Sequence, residues 1–158
     1  MGELGTVQLE NLAPKHEVGL RDLFCSLSAN GDGNFFYPHP LTSEEARKMC
    51  RYSGLDQYFV ATVNGRILGY GMLRGWDEGY AIPSLGLATH PDARSQGLGE
   101  FLMRGLIQQA RNRGATQIRL TVDASRGRFI SFFVRLGFVF SPFKPGRLLG
   151  LLDLLMQQ

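Results

Sequence analysis

The sequence predicts an α/β domain, and three observations carry that expectation. Asn64-Gly65 sits between two runs rich in strand formers, 57–63 and 66–74, the pattern of a two-residue type I′ hairpin whose central residues both take positive φ. A short apolar run, 85–89, leads into the turn Arg94-Ser95-Gln96-Gly97-Leu98-Gly99, after which apolar residues recur at helical spacing to about Ala110. An alternating run, 117–122, follows directly after Gly114, so that strand, helix and strand succeed one another.

The remaining elements follow in chain order. Residues 6–12 alternate and predict the first strand; Pro14 suits the first turn of a helix running to about Ser28, with Val18, Leu20, Leu23, Phe24 and Leu27 as its apolar stripe. Residues 29–34 are loop material. Two prolines in Phe35-Phe36-Tyr37-Pro38-His39-Pro40 forbid a regular helix, and the three aromatics there either pack on the core or cover a pocket. Thr42-Ser43-Glu44-Glu45 resembles a capping box opening a second helix through Tyr52. Residues 81–89 predict a strand in which Pro83 cannot donate and Gly86 marks a bulge or a close backbone approach. A helix over about 127–136, a strand at 138–140 and a final apolar run, 148–156, read as a strand, complete the chain.

Composition excludes several classes. At 158 residues, 44% hydrophobic and 20% charged, the chain is expected to be one globular domain over residues 1–158. No run of eighteen apolar residues predicts a membrane span, and residues 1–5 lack the order of a signal peptide; Met1-Gly2 finds support for myristoylation only in Thr6, so a cytoplasmic location is expected. Cys25 and Cys50 are expected as buried, reduced thiols, and the scattered His16, His39 and His90 predict no metal site. A net charge of +3, without basic blocks alternating with aromatics, points away from nucleic acid. The arginines between 111 and 135 are either a solvated face or a rim that attracts an anionic cofactor.

The turn at 94–99 is the chemically suggestive feature. A glycine-rich turn that leaves a strand and opens a helix offers unpaired N–H groups at the positive end of the helix dipole, a site for an anion such as phosphate. No Gly-Lys-Ser/Thr follows it, which excludes a P-loop, and Leu102 stands where a dinucleotide fingerprint would need Gly or Ala.

Leu87-Ala88-Thr89-His90-Pro91-Asp92-Ala93-Arg94-Ser95-Gln96-Gly97-Leu98-Gly99 resembles motif A of the GNAT-type acyl-CoA N-acyltransferases. Val122-Asp123-Ala124-Ser125 and Phe132-Phe133-Val134-Arg135-Leu136-Gly137-Phe138 resemble that family's next strand, helix and Leu-Gly-Phe ending. The resemblance implies a three-layer α/β fold: helices flanking a mixed central sheet, with the strand before the turn splayed from its parallel neighbour. It implies acetyl-CoA as co-substrate and no metal. Leu87, Ala88 and Thr89 would hold the pantetheine arm, a backbone N–H near Ala88 or Thr89 would polarise the thioester carbonyl, and Arg94, Ser95, Gln96, Gly97, Leu98, Gly99 and Glu100 would form the pyrophosphate turn.

Three positions depart from the family pattern. Phe133 stands where a Tyr usually protonates the leaving thiolate, Arg126 where an Asn is usual, and Thr121 where some members carry a Glu base. Phe133 is left to pack against the pantetheine, and Arg126 to pair with a cofactor phosphate. For the base, Glu78 is the first choice, then Asp77, then His90; Trp76, Tyr80, Phe36 and Tyr37 are candidates to hold the acceptor, with Ser84 as a further one. The expected function is acetyl transfer from acetyl-CoA to the primary amine of a small molecule. The alternatives are a non-catalytic acyl-CoA-binding or sensing module, favoured by Phe133, and a protein or peptide N-acetyltransferase. No nucleic acid or membrane partner is expected; relatives that pair through late strands leave a homodimer open.

Overall fold

The computed structural model describes residues 5–32, 36 and 38–155. Its sheet grows from the hairpin. Asn64 (φ 51°) and Gly65 (φ 80°) close the turn between β2 (Gln57–Val63) and β3 (Arg66–Arg74), which pair antiparallel. β1 (Val7–Asn11) joins β2 on one side, and β4 (Ser84–Thr89) joins β3 on the other, both antiparallel. β5 (Gln117–Asp123) lies parallel to β4, and β7 (Arg147–Asp153) and β6 (Val139–Lys144) complete the order β1-β2-β3-β4-β5-β7-β6. The sheet is therefore mixed.

Side-chain alternation gives each face its own helices. Tyr58, Val60, Tyr70 and Met72 pack with Leu20, Leu23, Phe24 and Leu27 of α1 (Glu17–Ala29) and with Ala46 and Met49 of α2 (Ser43–Cys50). Phe59, Leu73, Ile118, Leu120 and Val122 face the other way, onto Met103, Leu106 and Ala110 of α3 (Leu98–Asn112) and Phe133 of α4 (Gly127–Arg135). These are the three expected layers. Small residues bring α3 close to the sheet: a Cβ at Gly69 would meet Leu102 Cδ1 at 2.6 Å, and one at Gly71 would meet Leu106 Cδ1 at 2.9 Å. Leu106 is fully buried. Leu106→Ala is expected to cost about 2–5 kcal/mol in urea unfolding, because the lost contacts leave a cavity between helix and sheet.

Several boundaries differ from expectation. Pro14–His16 forms a separate 3-10 turn before α1, where Ala13 N–H donates to His16 Nδ1 (3.0 Å). Val18 falls on the solvent side of α1, and Cys25 is exposed, whereas Cys50 is buried as expected. Thr42 Oγ1 accepts from Glu45 N–H (3.1 Å), the expected cap, but α2 stops at Cys50, two residues early. β4 begins only at Ser84, after Pro83, and Gly86 marks close approach without a bulge: a Cβ there would meet Met72 Sδ at 3.0 Å and Pro38 Cγ at 3.1 Å. The last apolar run is a strand that ends at Asp153. No helix among the described residues is long and apolar enough to cross a membrane.

His39 ties the segment between α1 and α2 to the core. Its Nδ1 donates to Pro40 O (2.8 Å), so in the neutral ring Nε2 accepts from Tyr70 O–H (2.8 Å). Burial holds its pKa below the ordinary 6.5, and His90 is shifted the same way, chiefly by burial and then by Arg66. Below that ordinary value the unfolded chain takes up protons that folded His39 refuses, so stability present above it is lost as pH falls. The melting temperature is expected to drop between about pH 7.5 and about pH 5.5, and to drop less in His39→Gln.

Candidate active site

The cleft opens where β4 and β5 part. They share one register pair, Ser84 with Arg119, reinforced by Arg119 N–H to Pro83 O (3.0 Å). Beyond it β4 pairs with β3 as far as Thr89 but no longer with β5, so among the described residues its backbone groups on that side have no strand partner. His90 N–H donates to Leu68 O (2.8 Å), which fixes the alternation: even-numbered β4 residues bond β3, and Leu85, Leu87 and Thr89 turn toward β5. The Ala88 N–H is thereby committed to Tyr70, which corrects the expectation that it could serve a ligand. The Leu87 and Thr89 N–H groups face the gap. Thr89 O accepts from Arg94 Nη2 (3.1 Å).

Two left-handed residues, Ser95 (φ 65°) and Gly97 (φ 85°), carry the chain from β4 into α3. Gly97 is the N-cap and supplies no side-chain acceptor, so the first N–H groups of a fifteen-residue helix point outward at the cleft mouth. The first helical bond runs from Phe101 N–H to Gly97 O (3.0 Å). A Cβ at Gly97 would meet nothing within 4 Å; φ alone requires glycine here, and the space above it is open. Ser95, Gly97, Gly99 and Glu100 line the cleft, while Leu98 is buried beneath it and Gln96 turns its amide back to Asp92 O (3.1 Å).

Arg94 and Arg126 converge at the same mouth, and both reach Asp32 beyond the end of α1, at 3.0 and 3.9 Å. Asp32, absent from the sequence-based candidates, has no nearby sequence signal: it lies sixty-two positions from Arg94. Arg126 caps α4 and stacks on Phe129 (4.4 Å). Phe133 is buried against Phe132, Phe138 and Phe140 and lines the cleft. Thr121 accepts from Arg147 Nη2 (2.7 Å), so its hydroxyl is engaged rather than available as a base.

The loop 75–80 is divided by its geometry. Asp56 Oδ1 accepts from the N–H groups of Gly75, Trp76 and Asp77 (3.0, 2.9 and 3.2 Å), pinning the loop from the start of β2. Glu78 and Tyr80 line the cleft, both exposed. Trp76 and Asp77 do not. Trp76 packs against the α3-side core beneath Arg113, whose guanidinium lies 4.0 Å from its ring, and Asp77 accepts from Tyr52 O–H and from Leu55 N–H (2.7 Å). The Tyr52 bond, with Leu55, holds the Asp77 carboxyl below the usual carboxylate range, the wrong direction for a base. These two candidates are structural, as is His90, which accepts from Asp92 N–H (3.0 Å) and does not line the cleft. Phe36 satisfies both alternatives, packing edge-on to His39 (5.1 Å) and lining the cleft. Tyr37 lies outside the described residues.

The resulting cleft, about 1230 Å³, joins the helix-terminal turn, the open edge of β4 and the pinned loop. An extended thioester bearing a diphosphate fits that donor set: outward N–H groups and two arginines at the mouth, strand backbone without a β5 partner in the middle, and Phe133 alongside. Among the described residues no group of three or more His, Cys, Asp or Glu side chains could hold a metal ion.

Comparison with known proteins agrees. Residues 27–138 match the acetyltransferase (GNAT) family, and the chain belongs to that family. The GNAT domain of S. lividans PAT superposes with a TM-score of 0.81 at 14% identity, covering 94% of this chain and 91% of that one. The PaiA N-acetyltransferase from Thermoplasma acidophilum, solved in complex with coenzyme A, gives 0.78 at 14% identity, covering 94% and 99%. An amino-acid acetyltransferase of Shewanella oneidensis is 31% identical over 85 residues, 54% of this chain. The match spans only 18% of that relative's length.

Proposed function

We propose that the chain moves an acetyl group from acetyl-CoA to the primary amine of a small molecule, by direct attack within a ternary complex. One observation carries this reading: a single cleft connects the outward N–H groups of the Ser95–Gly99 turn, the unpaired edge of β4 and the carboxylate of Glu78. The turn, with Arg94 and Arg126, holds the diphosphate. The β4 edge aligns the pantetheine arm, and the Leu87 or Thr89 N–H polarises the thioester carbonyl. Acetyl-CoA supplies the activated acyl group. Glu78 accepts the proton of the attacking amine, directly or through water, from a loop that Asp56 keeps in place.

No side-chain acid stands at Phe133 to help the thiolate leave. A thiol with a pKa of roughly 8.5 is a tolerable leaving group at neutral pH, so losing that acid costs about 10²-fold rather than abolishing transfer. The test is free-thiol release from acetyl-CoA by the purified protein over a panel of amines. Acceptor-dependent release is the expected result. Tight acetyl-CoA binding without release over the whole panel would favour the non-catalytic binding module, the reading that Phe133 supports. Absence of binding would overturn both.

A further inference from the structure

The cleft holds a second concentration of positive charge, on the sheet face opposite the cofactor turn. Ile118, Leu120 and Val122 pack beneath α3 and α4, so alternation sends Arg119 and Thr121 to the face that carries α1 and α2. Leu73 likewise packs toward α3, and Arg74 follows Tyr70 and Met72 to the other side. Arg74, Ser84 and Arg119 then stand in one row across three strands, since Arg74 registers with Ser84 and Ser84 with Arg119. Arg147 reaches in from β7 to Thr121. The Phe143 ring gathers Lys144 Nζ at 5.1 Å, Arg119 Cζ at 5.7 Å and Arg147 Cζ at 5.8 Å.

Like charges so close repel unless something neutralises them. Among the described residues no carboxylate lies within ion-pair distance of Arg74, Arg119 or Lys144. The Nε of Arg119 is buried without a hydrogen-bond partner. Of the described charged side chains lining the cleft, eight are cations and four are carboxylates. Three of those carboxylates are engaged elsewhere: Asp32 by Arg94, Glu100 by Arg104 and Asp123 by Ser125. Only Glu78 remains to face a bound molecule. The cofactor's phosphates are served from the other face by the α3 terminus, Arg94 and Arg126.

We infer, on the transferase reading above, that the acceptor carries an oxyanion, a carboxylate or a phosphate, at the end remote from its amine. Arg119 receives it, with Arg74 and Arg147 on either side. A guanidinium presents a planar fork of donors that matches either oxyanion with paired N–H bonds, which a neutral acceptor would leave unused. Glu78 meets the amine end, so the cleft is complementary to a molecule charged at both ends.

The experiment compares matched amines in the thiol-release assay: amino acids against their carboxamides, and glucosamine 6-phosphate against glucosamine. The acidic member of at least one pair is expected to show kcat/KM about 10–100-fold above its neutral counterpart, the range of a charged hydrogen bond. The two pairs distinguish carboxylate from phosphate. Arg119→Gln is expected to raise KM for the acidic member by a similar factor, with kcat changed far less and acetyl-CoA affinity preserved, and Arg119→Lys to restore part of it. Release with equal or reversed preference in both pairs overturns this inference and leaves the transferase reading standing. Loss of acetyl-CoA affinity in Arg119→Gln, with the preference intact, overturns it too, because the arginine would then serve the cofactor. Release with no amine at all overturns the transferase reading, and this inference with it.

Discussion

Replacing Gly97 by valine is expected to weaken acetyl-CoA binding by about 10²-fold. Two effects combine. At φ 85° a β-branched residue is strained by about 1–3 kcal/mol, so the backbone relaxes and the first N–H groups of α3 lose their common aim. Charge-assisted bonds to a diphosphate are worth about 1.5–3 kcal/mol each, and misaligning one of them accounts for an order of magnitude or more. Because a Cβ at Gly97 meets nothing within 4 Å, the fold tolerates the side chain, which instead occupies the space above the turn. Isothermal titration with acetyl-CoA, alongside a circular dichroism spectrum showing an unchanged helix content, checks both halves. An unaltered Kd would mean that this turn does not hold the cofactor.

Glu78→Gln carries the second large effect, a fall of about 10²-fold in kcat/KM with acetyl-CoA affinity unchanged. The glutamine keeps the size and the hydrogen-bonding reach of the side chain and removes only its ability to accept a proton. Activity within twofold of the parent would assign proton acceptance to another group. Asp77 is a poor substitute: Tyr52 and Leu55 hold its carboxylate, and it lies off the cleft.

Much of the fold was legible because it depends on local chemistry. Asn64-Gly65 can close only one kind of hairpin efficiently, and the strands on either side appear at the predicted residues. Thr42 caps α2 as its spacing suggests, and Gly114 (φ 82°) ends α3. Errors arose where a tertiary contact decided the outcome. Val18 fits an apolar stripe by spacing, yet the arc of α1 that the sheet covers runs through Leu20, Leu23, Phe24 and Leu27 and leaves it in water. The site divides in the same way. The turn at 94–99 is a contiguous motif, whereas Asp56 acts on residues about twenty positions away and Asp32 on one sixty-two positions away.

By itself the sequence determined the order of strands and helices, the glycine-rich turn that opens α3 and the resemblance to an acyl-CoA-binding turn, since each is encoded within a few neighbouring residues. Only the tertiary structure decided which of Trp76, Asp77, Glu78 and Tyr80 reach the cleft, because a pinned loop sends adjacent side chains in opposite directions. It alone brought Arg74, Arg119 and Arg147 from three strands onto one face. Strand register and the splay of β4 from β5 set that meeting, and both depend on contacts between segments far apart in the chain.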